Sequence, residues 1–154
     1  MHTSPPSPQP LAGAQAAQEA AFRMPLRVYY EDTDAAGVVY YANYLRFIER
    51  ARTEWLRALG FEQQELLART GGGFVVRALQ ADYLSPARLD DALEVVTTVS
   101  KLRRASITFD QRVMRGGDRL FEAEVVLAFV DWNRHKPAPL PPAMYQQFEK
   151  YTQA

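Results

Sequence analysis

The amino-acid sequence predicts an α+β fold, one long helix wrapped by a mainly antiparallel five-stranded sheet. Three observations carry that expectation. Apolar residues recur at helical spacing over one long stretch, Tyr44, Ile48, Ala51, Trp55 and Leu59, widened by Leu45 and Leu56. From Phe74 onward the apolar pattern changes to period two. The later strands follow one another through short turns with no helices between them, which argues against a doubly wound parallel sheet.

The elements follow in order. Residues 1–20 are rich in Pro, Ala, Gln and Ser and lack the charged and apolar regions of a signal peptide; residues 1–22 are expected to be a flexible tail, and 23–154 a single domain. Met24–Tyr30 reads as a first strand, with Pro25 at its start, where a missing N–H is tolerated. Glu31–Val38 is a loop carrying Asp32, Asp34 and Gly37. A helix then runs from Tyr41 or Asn43 to Leu59, stopped by Gly60. Arg52 falls on its apolar face, and a buried guanidinium needs a partner; Glu49, one turn earlier, is the expected one.

A short helix over Glu62–Arg69 ends at Thr70-Gly71-Gly72-Gly73. Strands are then expected over Phe74–Tyr83, from Leu93 to Val99, around Ser106–Val113 and over Leu120–Asp131, with Gly116-Gly117-Asp118 as a hairpin turn. The last strand is apolar on both faces in its second half and should be central or at an interface. Pro137–Pro142 breaks the chain before a terminal helix over Ala143–Tyr151.

Composition excludes more than it assigns. Lys plus Arg and Asp plus Glu both total 18, so no net charge favours nucleic acid or an anionic membrane. No run approaches a membrane span, and the cytoplasm is the default compartment. With no cysteine, disulfides, thiolate metal sites and Cys nucleophiles are ruled out. The two histidines, His2 in the tail and His135 near the end of the last strand, are too few for a triad or a multi-His metal site. No metal and no cofactor is expected.

The chemistry concentrates in Arg27–Leu45, where a strand leads through two aspartates and a glycine into an aromatic-rich helix start. The pair Asp32-Thr33-Asp34 can be read as a Mg²⁺ ligand set for phosphoryl transfer, but Ala36 stands where that motif wants Thr or Val. It can also be read as an Asx-turn and helix cap. A third use draws on the unpaired N–H groups and positive dipole end of a helix N-terminus, which stabilise a developing oxyanion. A carboxylate a few residues upstream can activate water or attack directly. Such sparse equipment suits a thioester: a thiol of pKa about 8.5 departs with little help from an acid. An amide would need the histidine that this chain does not offer.

The run Y-Y-E-D-T-D-A-A-G-V-V-Y-Y-A-N-Y, with F-I-E-R-A-R-T-E after it, resembles the hotdog-fold acyl-CoA thioesterases. The resemblance is greatest to the Tol–Pal-associated, YbgC-like branch, with kinship to the 4-hydroxybenzoyl-CoA thioesterases. It continues through F-V-V-R, Y-L-S-P-A-R-L-D-D, L-R-R-A-S and E-A-E-V, from about Pro25 to Asp131. It implies a hotdog fold and hydrolysis of a thioester to a carboxylic acid and free CoA. By position, it makes Asp34 rather than Asp32 the working carboxylate, as nucleophile or general base. Tyr41 matches the residue whose backbone N–H polarises the thioester carbonyl, and Tyr30 matches a tyrosine beside the carboxylate. Gly37 lets the loop approach closely. Arg103 matches a position that meets CoA phosphates, and Arg104 does so in the hydroxybenzoyl branch; both also read simply as a solvated turn.

The Tol–Pal branch commonly carries His where this chain has Tyr41, so a side-chain acid–base role does not transfer, whereas a backbone N–H does. The resemblance also implies a homodimer with sites at the subunit interface, often paired into a homotetramer, acyl-CoA as substrate and acyl carrier protein as a possible partner. Two other functions fit the same fold. A hydroxyacyl dehydratase normally needs a histidine beside its carboxylate. A non-catalytic acyl-CoA or acyl-carrier-protein binding module, or an envelope-linked scaffold, has no use for Asp34.

Overall fold

The computed structural model describes residues 21–152. Residues 1–20 of the tail expected over 1–22, with His2, lie outside them. The first strand, β1 (Phe22–Arg27), begins earlier than expected, at a residue assigned by composition to the tail. Phe22, Met24 and Leu26 face inward, and Arg23, Pro25 and Arg27 face solvent. Pro25 sits inside the strand, which it can because β1 is an edge.

The rest follows as a single 3-10 turn (Tyr30–Asp32), α1 (Asn43–Ala58), α2 (Gln63–Thr70), β2 (Gly72–Tyr83), β3 (Ala92–Leu102), β4 (Ser106–Arg115), β5 (Asp118–Asp131), β6 (Lys136–Pro137) and α3 (Pro142–Glu149). The sheet order is β1-β3-β4-β5-β2, and every pairing is antiparallel. The expected five strands are therefore all present. A sixth, β6, pairs Lys136 and Pro137 with Asp131 and Val130. Two residues are too few to show a period, which is why this strand was not legible.

The helix α1 lies across one face of the sheet. Phe47, Ile48, Ala51, Trp55 and Leu56 are buried there with Val95, Val99, Phe109, Val113 and Val125. Burying each large apolar side chain contributes about 1.5–3 kcal/mol. Trp55 is wedged between Phe109 and Phe148, at ring centroid distances of 5.3 and 5.0 Å, so α3 closes the far end of the core. The helix α2 ends on Gly71 in the left-handed conformation (φ 70°), as the glycine run predicts.

The partner expected for Arg52 is corrected by the structure. Arg52 is buried, but its Nη1 donates to Gln111 Oε1 on β4 at 2.8 Å rather than to Glu49, which is exposed. Gln111 Nε2 in turn donates to Ile48 O at 2.9 Å and Thr97 Oγ1 at 3.0 Å, so a buried polar residue on the core-facing side of β4 reaches α1 where the helical wheel pointed to a local pair.

Candidate active site

Between β1 and α1 the chain makes two tight turns, each organised by an aspartate. Asp32 serves the first. Its Oδ2 accepts the Tyr29 N–H at 2.8 Å. Its carbonyl accepts the N–H of Tyr40 at 2.9 Å and Nδ2 of Asn43 at 2.9 Å. Asp32 is thus spent on tying the loop to the start of α1.

Asp34 opens the second turn. Its N–H donates to Val38 O at 2.9 Å, its carbonyl accepts the Gly37 N–H at 3.0 Å, and Thr33 bridges Val39. Gly37 reverses the chain at φ +78°, a conformation that favours glycine. The Asp34 side chain accepts the Ala36 N–H through Oδ1 at 2.9 Å, an Asx-turn that fixes its direction. Its Oδ2 has no protein hydrogen-bond partner among the described residues, and the residue is exposed.

The same loop delivers the helix start. Asn43 N–H donates to Tyr40 O at 2.8 Å and Leu45 N–H to Ala42 O at 3.2 Å. The helix proper begins at Asn43, so Tyr41 stands two residues ahead of it in the leading turn. The Tyr41 N–H has no protein acceptor among the described residues, as expected of the donors that open a helix. The Tyr41 carbonyl accepts a hydrogen bond from Tyr83 Oη at 2.9 Å.

Around that point lies a cluster of aromatic rings. Tyr83, the last residue of β2, meets Tyr44 at 5.5 Å and Phe121 at 5.0 Å, and Tyr44 stacks on Phe121 at 5.1 Å. Burial pushes the phenols of Tyr44 and Tyr83 up, and neighbouring Tyr41 raises Tyr83 further. Neighbouring Tyr41 does the same for Tyr40. These groups stay neutral at ordinary pH. An open cavity of about 240 Å³ is lined by Val39, Tyr41, Tyr44, Tyr83, Leu84, Ser85 and Pro86. It lies beside the Tyr41 turn.

Of the residues singled out from sequence, Asp34, Gly37 and Tyr41 share one loop, with Tyr30, largely exposed, at its start. Arg103 and Arg104 do not join them within one chain. They sit in the β3–β4 turn, whereas the Asp34 loop packs against the segment entering β3. The eleven residues of β3 separate the two ends by about 30 Å. Arg104 instead borders a second groove, of about 380 Å³, with Leu140, Pro142 and Tyr145. Both arginines are exposed and without ion-pair partners among the described residues.

Sequence reading missed Tyr83, Tyr44 and the segment Leu84–Pro86 as the wall of this site. The signal was present as Y-L-S-P-A-R-L-D-D, but only the folded chain brings it against the acidic loop. Among the described residues no three His, Cys, Asp or Glu side chains are grouped so as to hold a metal ion. No helix among them is long and apolar enough to cross a membrane.

Residues 28–148 match the Thioesterase-like superfamily. The acyl-CoA thioesterase YbgC of Haemophilus influenzae is 53% identical over 120 residues, covering 78% of this chain and 88% of that protein. The acyl-CoA thioester hydrolase YbgC of Escherichia coli O6:H1 is 48% identical over 130 residues, covering 84% and 96%. In structure, the chain resembles a probable thioesterase from Bartonella henselae with a TM-score of 0.74 and 38% identity, over 79% of this chain and 99% of that one. Sequence and architecture agree, and the chain belongs to the thioesterase-like superfamily, among the hotdog-fold acyl-CoA thioesterases of the YbgC type.

Proposed function

We propose that this protein is an acyl-CoA thioesterase, hydrolysing a thioester to a carboxylic acid and free CoA, with Asp34 as its working carboxylate. One observation carries the reading: a carboxylate oxygen and a backbone N–H, both without partners among the described residues, are presented by the same short loop. The N–H of Tyr41 stabilises the oxyanion that forms when the thioester carbonyl is attacked. Asp34 either attacks that carbonyl, giving an anhydride that water then cleaves, or removes a proton from the attacking water. The CoA thiolate leaves without an acid. The relatives' names support the activity, and an acid facing a thioester adds nothing to affinity, which disfavours a pure binding module.

The reading includes a homodimer. The strand β2 is a twelve-residue edge whose Val76, Leu79 and Tyr83 remain exposed, and an uncovered edge of that length invites pairing. Antiparallel pairing of two such edges sets the Gly72 end of one beside the Tyr83 end of the other. The β3–β4 turn lies at the Gly72 end, because β2 pairs Gly72–Phe74 with the end of β5 and β5 pairs Ala128 with Ser106. The partner's Arg103 and Arg104 then approach the end that carries Asp34, where they can meet CoA phosphates.

The test is Asp34→Asn and Asp34→Ala against a panel of short aliphatic, long aliphatic and aromatic acyl-CoAs. The expected loss in kcat is about 10²–10⁴-fold on the preferred substrate. Full turnover in both variants would reject the assignment.

A further inference from the structure

The segment Pro86–Asp91 touches the acidic loop and the helix start at the same time. It is an irregular connection between β2 and β3, and its backbone holds three separate parts of the site. Val28, ahead of the acidic loop, exchanges two hydrogen bonds with it: Val28 N–H to Asp91 O and Asp90 N–H to Val28 O, each 3.0 Å. Behind the loop, Val39 N–H donates to Ala87 O at 2.8 Å and Val38 bridges Arg88. In the first turn of α1, Tyr44 Oη accepts the Ala87 N–H at 3.0 Å.

What holds this connection in shape is a single carboxylate. Asp91 Oδ2 accepts the Arg88 N–H at 2.8 Å, closing the turn from Arg88 to Asp91, and also receives Arg115 Nη1 at 2.8 Å. Arg115 reaches on toward Pro86 O at 3.4 Å, so one guanidinium ties the start of the segment to its end. The bridge is 34% exposed at Arg115 and 22% at Asp91, less accessible than an ordinary surface pair and correspondingly less screened. Asp90, inside that turn, adopts φ 68°, outside the usual region for a non-glycine residue, which the same bonds hold in place.

We propose that Asp91, acting through Arg115, is a positioning residue of this site: the Asp91–Arg115 bridge fixes Pro86–Asp91, and that segment sets the Asp34 loop relative to the start of α1. This rests on the thioesterase reading above. Neither residue touches the reacting atoms. Their effect falls on the distance between the Asp34 carboxylate and the Tyr41 N–H, where small displacements weigh heavily on rate.

The experiment uses the full chain and compares Asp91→Ala, Arg115→Met and Arg115→Lys with the wild type and with Asp34→Asn. It measures kcat and KM on the best acyl-CoA, thermal midpoint and site-resolved amide hydrogen exchange. Asp91→Ala and Arg115→Met are expected to lower kcat roughly tenfold or more with KM within about twofold. Arg115→Lys should recover most of that loss. Exchange at the Val28, Val39 and Ala87 amides should rise, while that of Val95 and Val113 in the sheet stays unchanged. Wild-type kcat in both disruptive variants, or faster exchange spread evenly over the sheet, overturns the proposal. If Asp34→Asn keeps its turnover, the thioesterase reading fails instead. The exchange pattern then still decides whether the bridge holds the loop.

Discussion

The hydroxyl of Tyr83 donates to the carbonyl of Tyr41 at 2.9 Å, joining the end of an edge strand to the turn that opens the long helix. Tyr83→Phe keeps the ring against Tyr44 and Phe121 and removes only this bond. The expected cost in stability is about 1 kcal/mol. If the bond also fixes the Tyr41 peptide, kcat falls several-fold more than that stability loss alone can explain. Denaturant unfolding and steady-state kinetics on the same preparation separate the two.

The edge strand predicts the oligomeric state. Leu79→Lys places a charge on an exposed edge residue of β2, a device that blocks edge pairing. Sedimentation at micromolar concentration should show a shift toward monomer, with activity falling in parallel and far-UV circular dichroism unchanged. A variant that stays assembled at wild-type strength would place the interface elsewhere.

Asp91 predicts the acid limb of stability. Burial alone would push its carboxyl up; the hydrogen bond from the Arg88 N–H and the bond and charge of Arg115 outweigh that and hold it below the ordinary carboxylate range. A carboxyl whose folded value lies below the unfolded one contributes stability above the unfolded value, about 3.9, and loses it as pH falls through the folded value. Asp91→Asn should therefore be less stable than wild type near neutrality. The two should converge once the pH has fallen below the folded value. Thermal midpoints across that range check the sign.

The buried Arg52–Gln111 pair predicts non-additivity. Burial pulls the Arg52 guanidinium below its usual range, opposed by the charge of Glu49. Gln111→Leu leaves that charge without its acceptor and is expected to cost about 2–4 kcal/mol. Arg52→Met leaves the Gln111 amide oxygen unpaired, for about 1–3 kcal/mol. The double variant, with both polar ends gone, should be less destabilised than the sum by more than about 0.5 kcal/mol. Urea midpoints of the four proteins test it.

The sequence by itself determined the architecture, because the signals it used are local. Period 3.6 from Tyr44 to Leu59 gave the long helix, period two after Phe74 gave the strands, and Gly71 and Gly116-Gly117 marked the stops. The acidic loop was legible for the same reason. Asp34, Gly37 and Tyr41 lie within eight residues, and the turns that carry them are closed by short-range hydrogen bonds such as Gly37 N–H to Asp34 O and Tyr40 N–H to Asp32 O. What only the tertiary structure decided concerns residues far apart along the chain. Tyr83 is 42 positions from the carbonyl it binds, and Gln111 is 59 from the arginine it pairs with. The Asp91 segment meets the acidic loop because β3 lies beside β1. The separation of Arg103 and Arg104 from Asp34 follows from the length of β3. Local periodicity sets which face of an element is apolar. Only the packed sheet sets which residues meet across it, since register and strand order depend on all elements at once.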